Sequence, residues 1–281
     1  MPGQAIPDFE TLTYDEGDDG VAVVTLNRPD VHNAFNSLMQ RELHTLWRAL
    51  RRHDSVRCIV LTGAGDKAFC TGIDRMEQMG GEGDDTTDRD VVGSGGVTPF
   101  MFNDPGDNIG PKSCDLWKPV IAAVNGMACG GAFYMLGEVE FIVAAETASF
   151  FDPHVTYGMT AAFEPIHMAG ITPFCEIMRL SLLGNYERMS AARAHQVGMV
   201  SEVVPLADVR SRARELAAII ASQPRLAIEG TVRALWSTRS MPQREAVRLG
   251  YAFVAMGTNQ DSIAEGQQLF ASGKRVEWKL R

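Results

Sequence analysis

Apolar and polar positions alternate along this chain in two distinct patterns. Residues 21–26, 58–62, 120–124, 141–145 and 200–204 are short, almost continuous apolar runs rich in β-branched side chains, which predict buried strands. Residues 38–52 instead place Leu43, Leu46, Trp47 and Leu50 at three- and four-residue spacing, the period of an amphipathic helix. Strands separated by helical stretches imply parallel β-α crossovers, and hence an α/β fold. Beyond Pro205 the pattern is helical throughout, with predicted helices over 209–221, 224–236, 242–256 and 263–270. The chain therefore divides into an α/β core, residues 1–205, and a helical C-terminal region, residues 206–281. Apolar positions such as Leu216, Ile219, Leu235, Tyr251 and Phe253 in that region need a partner surface, because large exposed apolar patches are rare on monomers.

Between residues 80 and 118 the periodicity lapses into glycine, aspartate, asparagine and serine, which predicts a loop insertion. Its acidic residues, Glu82, Asp84, Asp85, Asp88 and Asp90, have no companion histidine and read as a solvated face rather than a metal site. With 281 residues, 45% of them hydrophobic and 22% charged, the chain can bury a sizeable core. A net charge of -9 argues against nucleic acid and acidic membranes as partners. The first ten residues lack a basic start and an apolar segment, and no apolar run reaches the roughly eighteen residues of a membrane helix, so a cytoplasmic protein is expected. Five scattered cysteines, Cys58, Cys70, Cys114, Cys129 and Cys175, with no CxxC spacing, predict neither disulfides nor a zinc site.

The chemistry concentrates in two glycine-bearing segments, Phe69-Cys-Thr-Gly-Ile-Asp74 and Asn125-Gly-Met-Ala-Cys-Gly-Gly131, each following an apolar strand. Glycine at such a turn lets a ligand approach backbone N–H groups that a side chain would screen. Two amides converging on one carbonyl oxygen would stabilise the charge it gains as an enolate or tetrahedral adduct. Cys70 and Cys129 lie beside these turns and read as small packing residues, since no histidine is near in sequence to generate a thiolate.

These segments resemble the crotonase superfamily, the enoyl-CoA hydratase/isomerase family. The resemblance extends over Val21-Ala-Val-Val-Thr-Leu-Asn-Arg-Pro29, His32-Asn-Ala-Phe-Asn36, Ser190-Ala-Ala-Arg-Ala194 and Gly198-Met-Val-Ser-Glu-Val-Val-Pro205, in the family's order. It implies a spiral of ββα units with a C-terminal trimerisation region, a homotrimer or hexamer, an acyl-CoA thioester as substrate, and no cofactor beyond the coenzyme A the substrate carries. It places the oxyanion donors on the amides of Ile73 and Gly131, flanked by Gly72 and Gly130. His32, Ala34, Thr71 and Asp74 fall along the path of the coenzyme, and Phe270 and Lys274 match terminal residues that reach toward it. Asp74 serves equally well as a helix N-cap for residues 75–79. The inserted loop lies over the acyl pocket in the family, so Phe100, Met101 and Phe102 are candidates to line it.

The resemblance also marks a departure, because the hydratases' two catalytic glutamates fall on Tyr134 and His154. An imidazole with a reference pKa near ~6.5 could act as a base at neutral pH, and a phenol near ~10 only as a donor. His154 is the leading acid-base residue, with Tyr134 and Glu164 as further candidates; Asp152 could orient His154, a geometry the intervening Pro153 leaves open. The expected function is acyl-CoA transformation through a stabilised enolate or oxyanion, by hydration, isomerisation or a decarboxylase-like step. A thioester or β-diketone hydrolase and a non-catalytic acyl-CoA binder are the alternatives.

Overall fold

A computed structural model describes residues 6–79, 104–273 and 276–281. The apolar runs form strands as expected, and they organise two sheets. The strands are β1 (Leu12–Glu16), β2 (Val21–Leu26), β3 (Cys58–Gly63), β4 (Ala68–Cys70), β5 (Val120–Val124), β6 (Met127–Cys129), β7 (Phe141–Ala145), β8 (Ser149–Phe151), β9 (Met189–Ser190) and β10 (Glu202–Val204). The larger sheet has the order β1-β2-β3-β5-β7-β10 and the smaller one β4-β6-β8-β9.

The topology is a spiral. Each of three successive turns contributes one strand to the larger sheet and the next strand to the smaller one: β3 then β4, β5 then β6, β7 then β8. Corresponding strands pair in parallel, as in Val60 with Ile121 and Ala122 with Ile142. A short helix closes each of the first two turns, Arg75–Met79 after β4 and Ala132–Leu136 after β6. Because β3 and β5 are covered on both faces, every one of their residues is buried, which is why they read as continuous apolar runs. Among the described residues the pairing is antiparallel only where β1 joins β2 and β9 joins β8, edges that the helix-strand alternation did not reveal.

Helix Ser37–Leu50 buries Leu43, Leu46, Trp47 and Leu50, and the Trp47 indole N–H donates to the Ile109 carbonyl at 3.0 Å. That acceptor lies in the expected loop, whose described part, from residue 104, carries a helix (Gly106–Ile109) and buries Ile109, Cys114 and Leu116. Phe100, Met101, Phe102 and the acidic cluster lie outside the described residues.

Of the C-terminal helices, Val209–Ala221 lies across β2, β3, β5 and β7 and buries Val209, Ala213, Ala217 and Ala221, one residue every turn. Helices Arg225–Ser237 and Gln243–Gly257 pack on each other, and Gln260–Ala271 follows them. They expose large apolar side chains: Leu235 is 66% exposed, Tyr251 79% and Phe270 88%. Among the described residues no helix is long and apolar enough to cross a membrane.

Candidate active site

The smaller sheet assembles the site. Its first three strands, β4, β6 and β8, run parallel side by side, so the segments leaving their carboxyl ends emerge next to one another. Those segments are Thr71-Gly72-Ile73, Gly130-Gly131 and Asp152-Pro153-His154. Together with Phe163 and Glu164, Tyr134 and Arg75 they enclose a cavity of about 230 Å³.

The two glycine segments touch through backbone. Gly72 has φ +83°, and a β-carbon there would stand 2.9 Å from the Gly131 nitrogen and 3.2 Å from the Cys129 carbonyl oxygen, so a side chain would wedge the two turns apart. The first turn is held open on its other flank by Phe35, whose N–H donates to the Gly72 carbonyl and whose carbonyl accepts the Asp74 N–H, each at 2.8 Å. This bridge uses the groups on either side of the Ile73 amide and leaves that amide unused. Neither the Ile73 nor the Gly131 N–H donates to a protein acceptor among the described residues. Two unspent donors at the wall of a cavity can receive one ligand oxygen.

Opposite polar chemistry comes from His154. Pro153, with φ -83° and ψ -8°, turns the chain instead of extending it, and this brings Asp152 back onto its neighbour. The Asp152 carboxylate accepts from His154 Nδ1 at 2.5 Å and from the His154 backbone N–H at 3.1 Å. On its other side His154 Nε2 stands 3.3 Å from Glu164 Oε1, near the start of helix Phe163–Met168. Asp152 is fully buried and Glu164 nearly so. The hydrogen bonds His154 donates to Asp152 and Glu164 outweigh burial and push its pKa up to about 10. At neutral pH both ring nitrogens are therefore donors, and the imidazole is a cation and not the free base that its reference pKa suggests.

Tyr134 is committed elsewhere. Its hydroxyl donates to Asp104 Oδ2 at 2.7 Å, and burial, with the neighbouring Glu164 charge, raises its pKa, so it stays a phenol. Burial also raises the Asp104 carboxyl. Asp104 was not identified from sequence, since its partner lies thirty residues away.

The other expected positions are distributed around this centre. Thr71, Gly72 and Gly130 line the cavity. Asp74 does not; its carboxylate accepts the Met76 N–H at 3.0 Å, capping the following helix, and pairs with Arg28 at 2.8 Å. His32 and Ala34 lie on the adjoining left-handed turn, where the His32 carbonyl accepts the Thr71 hydroxyl at 3.4 Å and the Ala34 carbonyl accepts Arg28. Phe270 stands on the outer helical face and Lys274 lies outside the described residues. Burial pushes the Cys70 and Cys129 thiols up to about 12, consistent with packing roles, and Cys70 Sγ accepts the Gly72 N–H. Among the described residues no group of His, Cys, Asp and Glu is arranged to hold a metal ion.

The sequence model of the enoyl-CoA hydratase/isomerase family matches residues 16–281. The chain is 30% identical to a carnitinyl-CoA dehydratase of Salmonella enteritidis over 267 residues, covering 92% of this chain and 94% of the relative. Its fold superposes on the crystal structure of an enoyl-CoA hydratase/isomerase from Mycobacterium paratuberculosis with a TM-score of 0.81 and 32% identity, over 97% of this chain and 99% of the other. An enoyl-CoA hydratase from Mycobacterium tuberculosis gives a TM-score of 0.79 at 25% identity, over 96% and 98% of the two chains. The crotonase fold expected from the glycine motifs and the three-turn spiral found here thus agree with sequence relatives, and the chain belongs to the enoyl-CoA hydratase/isomerase family, whose members are acyl-CoA-processing enzymes.

Proposed function

We propose that the protein forms and quenches a thioester enolate, as a lyase or isomerase acting on an acyl-CoA. The observation that carries this reading is the convergence, in one cavity, of the Ile73 and Gly131 amides with a carboxylate-imidazolium pair, Glu164 and His154. The thioester oxygen accepts both amide N–H groups, which stabilises the negative charge as a proton leaves the α-carbon. Glu164 is the group that moves the proton at carbon, because His154 is already protonated and Tyr134 is bonded to Asp104. His154 acts beside it as a donor: Asp152 fixes Nδ1, and Nε2–H faces Glu164 or a departing oxygen. The relatives' names, a carnitinyl-CoA dehydratase and enoyl-CoA hydratases, support a reaction on a coenzyme A ester.

The assembly we infer is a homotrimer or a pair of trimers. Leu235, Tyr251 and Phe270 expose apolar surface on consecutive C-terminal helices, and closed cyclic contacts would cover it.

The test is exchange at the α-carbon. Acyl-CoA esters incubated with the enzyme in D₂O should gain deuterium by mass spectrometry, and Glu164→Gln should suppress the gain. Release of free thiol without exchange would instead establish a hydrolase. Binding with neither would establish a non-catalytic acyl-CoA binder.

A further inference from the structure

Among the described residues, Arg75 is the one charged residue lining the cavity that the reading above leaves without a task. It is half-buried at the start of helix Arg75–Met79, immediately after the Gly72-Ile73 turn. The other two charged residues of the lining, His154 and Glu164, face each other at 3.3 Å. Arg75 forms no ion pair and no side-chain hydrogen bond among the described residues; its guanidinium stacks over the Tyr157 ring, 3.7 Å from the centroid. A guanidinium held over a ring face can still offer N–H groups at its edge to a further acceptor. A half-buried arginine with unspent donors suits a planar oxyanion, which it can bind through two parallel hydrogen bonds.

We propose that Arg75 selects acyl groups that carry a carboxylate, so that the substrate class is the coenzyme A monoesters of short dicarboxylic acids. This rests on the acyl-CoA reading above. A phosphate of coenzyme A offers the same chemistry, but Arg75 shares its cavity with the Gly131 amide and Glu164, where the thioester and acyl chain lie in that reading. Asp152 and Glu164 both pair with His154, and neither carboxylate reaches Arg75 among the described residues. A purely aliphatic acyl group would leave the guanidinium facing apolar surface, with its donors unpaired and partly desolvated.

Isothermal titration calorimetry on the full-length protein decides this, with butanoyl-, malonyl-, succinyl- and glutaryl-CoA, free CoA and dephospho-CoA as probes. At least one dicarboxylic monoester should bind about 10–100-fold more tightly than butanoyl-CoA, the range of a charge-assisted pair. Arg75→Met should remove that preference, Arg75→Lys should restore part of it, and neither should change the affinity for free CoA. Equal or weaker binding of every dicarboxylic ester in the wild type would overturn the inference while leaving the acyl-CoA reading intact. A parallel loss of free CoA and butanoyl-CoA affinity in Arg75→Met would assign Arg75 to a coenzyme phosphate, the 3′-phosphate if dephospho-CoA is spared and the pyrophosphate if it is not, and equally overturn it. No binding of any coenzyme A compound would overturn both readings together.

Discussion

Replacing Gly131 by proline and by alanine isolates a single N–H group. Gly131 has φ -56°, inside the range of proline, and its amide donates to no protein acceptor among the described residues, so proline breaks no native hydrogen bond there. The substitution is not free of strain, because a β-carbon at this position would stand 2.6 Å from both Cε1 and Cζ of the buried Phe35 ring. Overpacking of this kind costs about 1–3 kcal/mol. Alanine introduces the same β-carbon and keeps the N–H, and the comparison between the two variants therefore cancels most of the packing term. Loss of one oxyanion donor lowers kcat by about 10²–10³, equivalent to about 2.7–4 kcal/mol of transition-state stabilisation. The prediction is that Gly131→Pro turns over, or exchanges α-protons, about 10²–10³ times more slowly than Gly131→Ala. Circular dichroism and thermal melting establish that both variants are folded. Equal rates in two folded variants would refute the assignment of the Gly131 amide.

Three further outcomes follow from the same geometry. His154 is held protonated by Asp152 and Glu164, with its pKa pushed up to about 10 from 6.5; a raised folded-state pKa adds stability that is complete below pH 6.5 and fades as pH approaches 10. The difference in Tm between wild type and His154→Gln should therefore be largest at or below pH 6.5 and shrink toward pH 10, and a gap that widens with pH would contradict the pairing. Cys58, Cys70, Cys114 and Cys129 are buried and Cys175 is exposed, so a thiol reagent should label one of the five cysteines quickly in the native protein; rapid labelling of Cys70 or Cys129 would revive a nucleophile there. Light scattering should give a trimer or hexamer, Tyr251→Glu with Phe270→Glu should shift it toward smaller species, and a stable monomer in the wild type would remove the case for assembly.

Apart from β1, whose residues alternate in exposure at the sheet edge, the strands of the larger sheet were legible because burial writes itself as a nearly unbroken apolar run, as in Val120–Val124. Those of the smaller sheet were not. Ala68–Cys70, Met127–Cys129 and Ser149–Phe151 are three residues each, too short for any periodicity, and their parallel alignment appears only once the spiral is closed. The glycine segments could be read because a turn that must admit a ligand to its backbone restricts residue type. The acid-base centre was harder: Asp152 and His154 meet through the local turn at Pro153, Glu164 arrives from a separate helix, and Asp104 arrives from the insertion. Arg75 carried no signal in the sequence beyond its place at a helix start, and the cavity distinguishes it.

The central claim is that the Ile73 and Gly131 amides polarise a bound thioester carbonyl. Isotope-edited infrared spectroscopy of butanoyl-CoA carrying ¹³C at the thioester carbon measures this directly, because hydrogen bonds to the oxygen weaken the C=O bond and lower its stretching frequency. The bound ester should absorb at lower frequency than in water with the wild type and with Gly131→Ala, and should return toward the solution value with Gly131→Pro. A bound ester whose carbonyl frequency matches solution in the wild type, or one unchanged by Gly131→Pro, would contradict the account.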